Sequence, residues 1–167
     1  MCSKYFGKLL TFVVIGLFQA LILTLGDIYL LKCFVLNKTL FIGISLLSSM
    51  VFIIIVYTLV SVFDNIGKAI AVILLVIQVA GAGGTFPVEV MPSFFKKVNP
   101  LLPFTYAISS MREAVAGVVK ENLNRDIIMI LSYGIIFILI GVFLKGPINI
   151  LSKRFIEKLN ESGITEH

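Results

Sequence analysis

The chain has 167 residues, 59% of them hydrophobic and 14% charged, with a formal net charge of +5. Soluble domains carry roughly 45–50% apolar residues, so a water-soluble fold of this length cannot hide the excess and lipid must cover much of it. The basic balance fits loops beside anionic headgroups, not a nucleic-acid surface.

The first apolar run extends from about Leu9 to Leu31 and is preceded by Lys4 and Lys8. It is too long for a signal-peptide core, and no A-x-A-like cleavage site follows, so it reads as a retained span. Cys2 and Cys33 lie at opposite ends of the run; if it spans, they face different compartments and cannot pair. Gly16, Gln19, Ala20, Thr24 and Asp27 step by three or four residues and share one face. Small and polar residues on one face mark a helix–helix contact in lipid. Asp27 has two readings: part of a conduction path or proton relay, or a charge near the outer interface that reaches water.

The second span runs from about Leu40 to Phe63 and the third from about Ile66 to Gly83. Between them lie the short turns "CFVLNK" (33–38) and "FDNIGK" (63–68), with Asp64 and Asn65 as N-cap candidates for the third helix. Such tight turns make the first three helices antiparallel neighbours. Gln78, near the end of the third, reads as an interhelical hydrogen bond.

Residues 80–92, "AGAGGTFPVEVMP", end that run abruptly. Pro87, Pro92, Pro100 and Pro103 exclude one continuous helix through 85–117. Yet Phe86, Val88, Phe94, Phe95, Leu101, Leu102 and Phe104 make the stretch too apolar for a water-exposed loop. Short helices dipping into the membrane or lying at its surface remain, provided protein or water covers their non-helical backbone. One starts at Pro92 and stops before Asn99–Pro100. A second runs from about Pro103 to Ala116, with Gly117 as its stop. Phe104, Ala107, Ile108, Met111 and Val115 fall at helical spacing on it, with Ser109, Arg112 and Glu113 on the other side. Arg112 and Glu113 pair with other segments or lie on a solvated surface. Gly81, Gly83 and Gly84 let the third helix end and the chain turn back at close approach.

The fourth span runs from about Ile127 to Leu144. A break at Gly146–Pro147 then separates an amphipathic tail, 147–160. There Ile148, Leu151, Phe155 and Leu159 oppose Lys153, Arg154 and Lys158, an interfacial pattern. The expected architecture is one all-α membrane domain, 1–167: four transmembrane helices, a broken re-entrant or interfacial connection at 85–117, and the tail helix. Four spans put both termini on one side, and discounting the basic residues of the long connection makes that side cytoplasmic.

No phosphate-binding G-x-x-x-x-G-K-[ST] occurs. The single histidine, His167, is terminal, so no nucleophile–base pair can be drawn. No catalytic, metal or cofactor site is expected, and the chain does not read as an enzyme.

The stretch "GAGGTFPVEVMPSFFKKVNPLLPFTYAISSMREAVAG" (81–117) resembles the signature of the YhgE/Pip, or phage infection protein, family. "KYFGKLL" (4–10) and "YTLVSVFDNIGKAIAVILLVIQVAGAGGTFP" (57–87) extend the resemblance along nearly the whole chain. The glycines, the prolines, Asn99, Tyr106, Arg112 and Glu113 fall in matching order. The membrane domain of that family is similar to type 2 ABC transporter permeases, with the broken connection on the outer side. The resemblance implies a permease-like protein of the cytoplasmic membrane, forming a homo-oligomer or joining a larger membrane complex for export or envelope secretion. Any ATPase would be a separate subunit. A surface or phage-receptor docking component without transport activity is the alternative role, and a truncated remnant of a longer member is another. Longer members carry an N-terminal span and a large extracytoplasmic domain, and this chain resembles their last four spans.

Overall fold

The computed structural model describes residues 2–84 and 86–161, with side chains described between 5 and 144 except at 85. Every regular element among them is helical. The first apolar run forms α1, Cys2–Tyr29. It starts well before the expected edge, because an apolar count stops at lysines that a helix tolerates and that can reach the headgroups. The chain leaves α1 through Lys32, at φ 51.

Helix α2 spans Lys38–Gly81, 44 residues. Asn37 caps it, its side chain accepting from the Leu40 amide at 3.1 Å. A straight helix of that length would measure about 66 Å at 1.5 Å per residue, about twice the apolar thickness of a bilayer. Helix α2 is not straight. Asp64 takes φ 50, ψ −121 and divides it into arms 38–63 and 65–81. A methyl placed on Gly67 would overlap the backbone carbonyl of Leu59. Along an unbroken helix those two residues would lie about 12 Å apart, so the arms fold back on each other. Ala71 and Leu74 of the second arm accordingly pack on the cluster of Val51, Ile55 and Leu59 in the first. Asp64 is thus the reversal itself, while the Asn65 side chain accepts from Lys68 Nζ at 3.1 Å.

After Gly81 come a 3-10 turn at Val88–Val90, the short α3 (Ser93–Val98), and a second 3-10 turn at Asn99–Leu101. Pro92 caps α3 from outside instead of opening it. Helix α4, Pro103–Ala116, has the expected bounds, with Pro103 at its first turn and Gly117 at φ 133 beyond its end. Its buried stripe differs from the expected one: Pro103, Ala107, Ser110 and Ala114 face inward. Small residues let helix backbones approach, which packs better than the large side chains beside them.

Helix α5 runs Lys120–Glu161, correcting the expected span at both ends. It begins seven residues early, so Asp126 lies inside the helix and not in a loop. At the other end the backbone continues through Gly146–Pro147. A proline removes one ladder hydrogen bond, and membrane helices tolerate that loss. The tail is therefore the end of α5. The amphipathic face expected at 147–160 and the position of His167 lie outside the described side chains.

Helix α1 packs on the first arm of α2, which also carries α4 and α5. Phe104 meets Phe52 with ring centroids 4.3 Å apart, and the Asn37 amide donates to the Ala114 carbonyl, so α4 runs antiparallel to that arm. Leu123 packs with Ile44, and Ile130 with Val51, so α5 runs parallel to it. Tyr5, buried at the start of α1, shares a 2.8 Å hydrogen bond with Thr58 and joins Leu9 and Ile54 in a separate cluster. Tyr5→Phe keeps the ring and removes that bond. It is expected to cost about 1 kcal/mol, read as a small fall in melting temperature in detergent.

Candidate functional site

Two features collect the polar side chains singled out in the sequence. The first is the broken connection. The C-terminal end of a helix leaves carbonyls without intrahelical partners, and such groups are costly away from water. Here side chains reach them. Asn99 Nδ2 donates to the Gly81 carbonyl at 2.7 Å, and Arg112 donates to that of Gly83. Thr105 donates to the Asn99 carbonyl at 2.7 Å, and Tyr106 to that of Pro100 at 2.6 Å. Tyr133, from α5, donates to the Leu101 carbonyl at 2.9 Å. Five carbonyls, two at or just past the end of α2 and three in the Asn99–Leu101 turn, are thus met by five side-chain donors.

The glycines sit where that closure needs them. A methyl on Gly81 would press on Leu102 and Phe95, and one on Gly84 on Ile108. Gly83 adopts φ 78, which favours a residue without Cβ. Pro87 leads into the first 3-10 turn and its carbonyl accepts from the Val90 amide at 3.2 Å. The structure therefore gathers Gly81, Gly83, Asn99, Pro100, Tyr106 and Arg112 in one knot, with Pro103 buried beside it. Arg112, one of two open readings, is tied to another segment. Glu113 is half-buried with Oε2 unpartnered, and Gln78 is 3% exposed with Oε1 unpartnered, so that oxygen makes no interhelical hydrogen bond. The donors Thr105 and Tyr133 were missed by sequence reasoning. Their only signal is that hydroxyls in an apolar run must find an acceptor.

The second feature is a groove along the seam of α1 and α2. A cleft of about 770 Å³ is lined by Lys8, Phe12, Gly16, Gln19, Tyr57 and Asp64 among others. It shares Gly16 and Gln19 with a smaller one of about 360 Å³ that includes Thr24, Asp27, Ser45 and Ser49. The five residues expected on one face of the first helix all line the smaller cleft; Gly16 and Thr24 are buried against α2, whereas Gln19 is exposed. Thr24 donates to Ser45 at 2.7 Å, and Ser49 to the Gly16 carbonyl at 3.0 Å. Asp27 lies at the end of this groove, half-buried and two residues from the end of α1. Among the described residues no group of three His, Cys, Asp or Glu side chains is arranged to hold a metal ion.

Residues 3–143 match the model of the ABC-2 family transporter protein. The chain is similar to the uncharacterized protein YhgE of Bacillus subtilis (strain 168), 31% identical over 113 residues. The aligned part covers 68% of this chain and 15% of YhgE, so the chain spans a small fraction of that relative's length. No solved structure matches. Three helices among the described residues are long and apolar enough to cross a membrane. With the match extending from the start of α1 nearly to the end of the apolar part of α5, the chain belongs to the ABC-2 transporter family of membrane proteins.

Proposed function

We propose that the chain is the permease-like part of an export or envelope-secretion complex in the cytoplasmic membrane, energised by an ATPase on another chain. Family membership over residues 3–143 carries this reading. The fold-back at Asp64 supports four crossings: α1, the two arms of α2, and the apolar part of α5. Phe104 meets Phe52 fourteen residues along α2, which puts the start of α4 about 21 Å in from the beginning of that helix. That depth supports a re-entrant connection, with α3 entering and α4 leaving on the same side. The donor knot explains how non-helical backbone is tolerated there. In this arrangement both termini are cytoplasmic, and the α1–α2 turn and the broken connection face outward. The groove between α1 and α2 is the surface offered to a second copy or to another membrane subunit.

Two measurements test this. Cys33 is exposed on the α1–α2 turn. In single-cysteine variants, a membrane-impermeant maleimide is expected to label Cys33 in intact cells and Cys2 only after permeabilisation. The reverse pattern would place the termini outside. A tagged chain purified in mild detergent is expected to bring a P-loop subunit with ATP hydrolysis. A homogeneous particle with neither would sink the transport role.

A further inference from the structure

Three helices place a polar residue at one level of the bundle. On α2, Ser48 lies between Ile44 and Val51; on α4, Ser110 between Ala107 and Ala114; on α5, Asp126 between Leu123 and Ile130. In each case the three residues are spaced to share one helix face. Ile44, Ala114 and Leu123 form one buried apolar cluster, and Val51, Ala107 and Ile130 belong to another. Ser48, Ser110 and Asp126 therefore make a polar layer between two apolar ones. Gln78 joins it by register, one turn beyond Leu74, which packs on the second cluster.

The layer is buried and incompletely bonded. Ser110 and Asp126 are fully buried, Gln78 is 3% exposed and Ser48 is 7% exposed. Ser48 Oγ, Gln78 Oε1 and Asp126 Oδ2 have no hydrogen-bond partner. Asp126 has one ionic contact, Arg125 to Oδ1 at 3.2 Å, and that side chain is 64% exposed. One turn along α4 from Ser110, Glu113 Oε2 is also buried and unpartnered. Every unpartnered atom in the layer is an oxygen, and a carboxylate is among them. A water molecule satisfies a hydroxyl or an amide, but it leaves the exposed Arg125 as countercharge to a fully buried carboxylate, whose Oδ2 that arginine does not reach. Hard cations take oxygen ligands, whereas imidazole or thiolate would be needed for a transition metal.

We propose that the layer formed by Ser48, Gln78, Ser110 and Asp126 is a binding site for a small monovalent cation of sodium size. The ion takes Asp126 Oδ2, the carboxylate oxygen that Arg125 leaves free, and ties α2, α4 and α5 together. The site is a property of the isolated chain and stands or falls independently of an ATPase partner.

The test uses the full chain in detergent. Thermal unfolding is followed by far-UV circular dichroism while sodium chloride replaces N-methylglucamine chloride at constant ionic strength. The expected result is a saturable rise in melting temperature, with retention of radioactive sodium at about one ion per chain, as mass action requires for a ligand that binds only the folded state. Asp126→Asn is expected to abolish the sodium dependence while melting no lower than wild type without sodium, because it removes the charge the ion serves. Ser48→Ala is expected to raise the half-saturating sodium concentration several-fold. Identical melting in both salts without retained sodium would overturn the proposal. So would a sodium response undiminished in Asp126→Asn or, should that variant fail to fold, in Ser48→Ala.

Discussion

Gly67→Ala is expected to lower the stability of the chain by about 3 kcal/mol or more, the upper range for inserting atoms into a packed interior. The added methyl would overlap the carbonyl oxygen and carbon of Leu59 and press on the Cα of Val60. These are backbone atoms, so no rotamer relieves the clash. The two arms of α2 would have to separate, withdrawing Ala71 and Leu74 from the cluster of Val51, Ile55 and Leu59. Gly43→Ala is the matched control. It lies on the same helix with nothing within 4 Å of the added methyl, and alanine is favoured over glycine in a helix by about 1 kcal/mol. Thermal unfolding in detergent should separate the two variants widely, with Gly43→Ala at or above wild type. Equal melting temperatures would mean that the arms do not meet at Gly67.

The broad plan was readable because lipid imposes one rule, that backbone groups must be satisfied inside the segment. Long apolar runs therefore had to be helices, and Pro92, Pro100 and Pro103 had to break what lay between. Helix α4 emerged with its expected bounds because proline and glycine act locally, one fixing φ and the other permitting a positive φ. The two ends of α5 were not readable in the same way. Hydropathy fades at Lys120 and after Leu144, but helix formation does not require hydropathy. Asp126 consequently falls just outside the expected span, although Leu123, Asp126 and Ile130 share a helical face. The partners of Asn99, Arg112 and Tyr133 were also out of reach. Each donates to a carbonyl at least 18 residues away in sequence, and a motif shows only that such residues occur in order. The structure gives the order a reason: the residues that break the helix and those that satisfy the broken ends must come together.

That reason leads to the second large effect. Asn99→Leu leaves the Gly81 carbonyl without its donor, and Arg112→Leu does the same to that of Gly83. Each is expected to cost about 1–3 kcal/mol, the penalty for a buried polar group that loses its partner. The two carbonyls flank a single residue, Ala82, so the donors hold one turn from opposite ends of the α3–α4 segment. Once either is gone, the turn is free to move and the other has less to hold. The double variant is therefore expected to cost less than the sum of the singles, with a coupling of about 1 kcal/mol, in the range measured for residues sharing a network. Arg112→Lys should rescue little, because a point charge on a flexible stem does not reproduce the planar donor fork. Melting temperatures of the wild type, both singles and the double close the cycle, and protease cleavage between 84 and 101 reports release of the turn. Strict additivity, with no new cleavage in any variant, would mean that the two contacts are independent and that something else holds the connection in place.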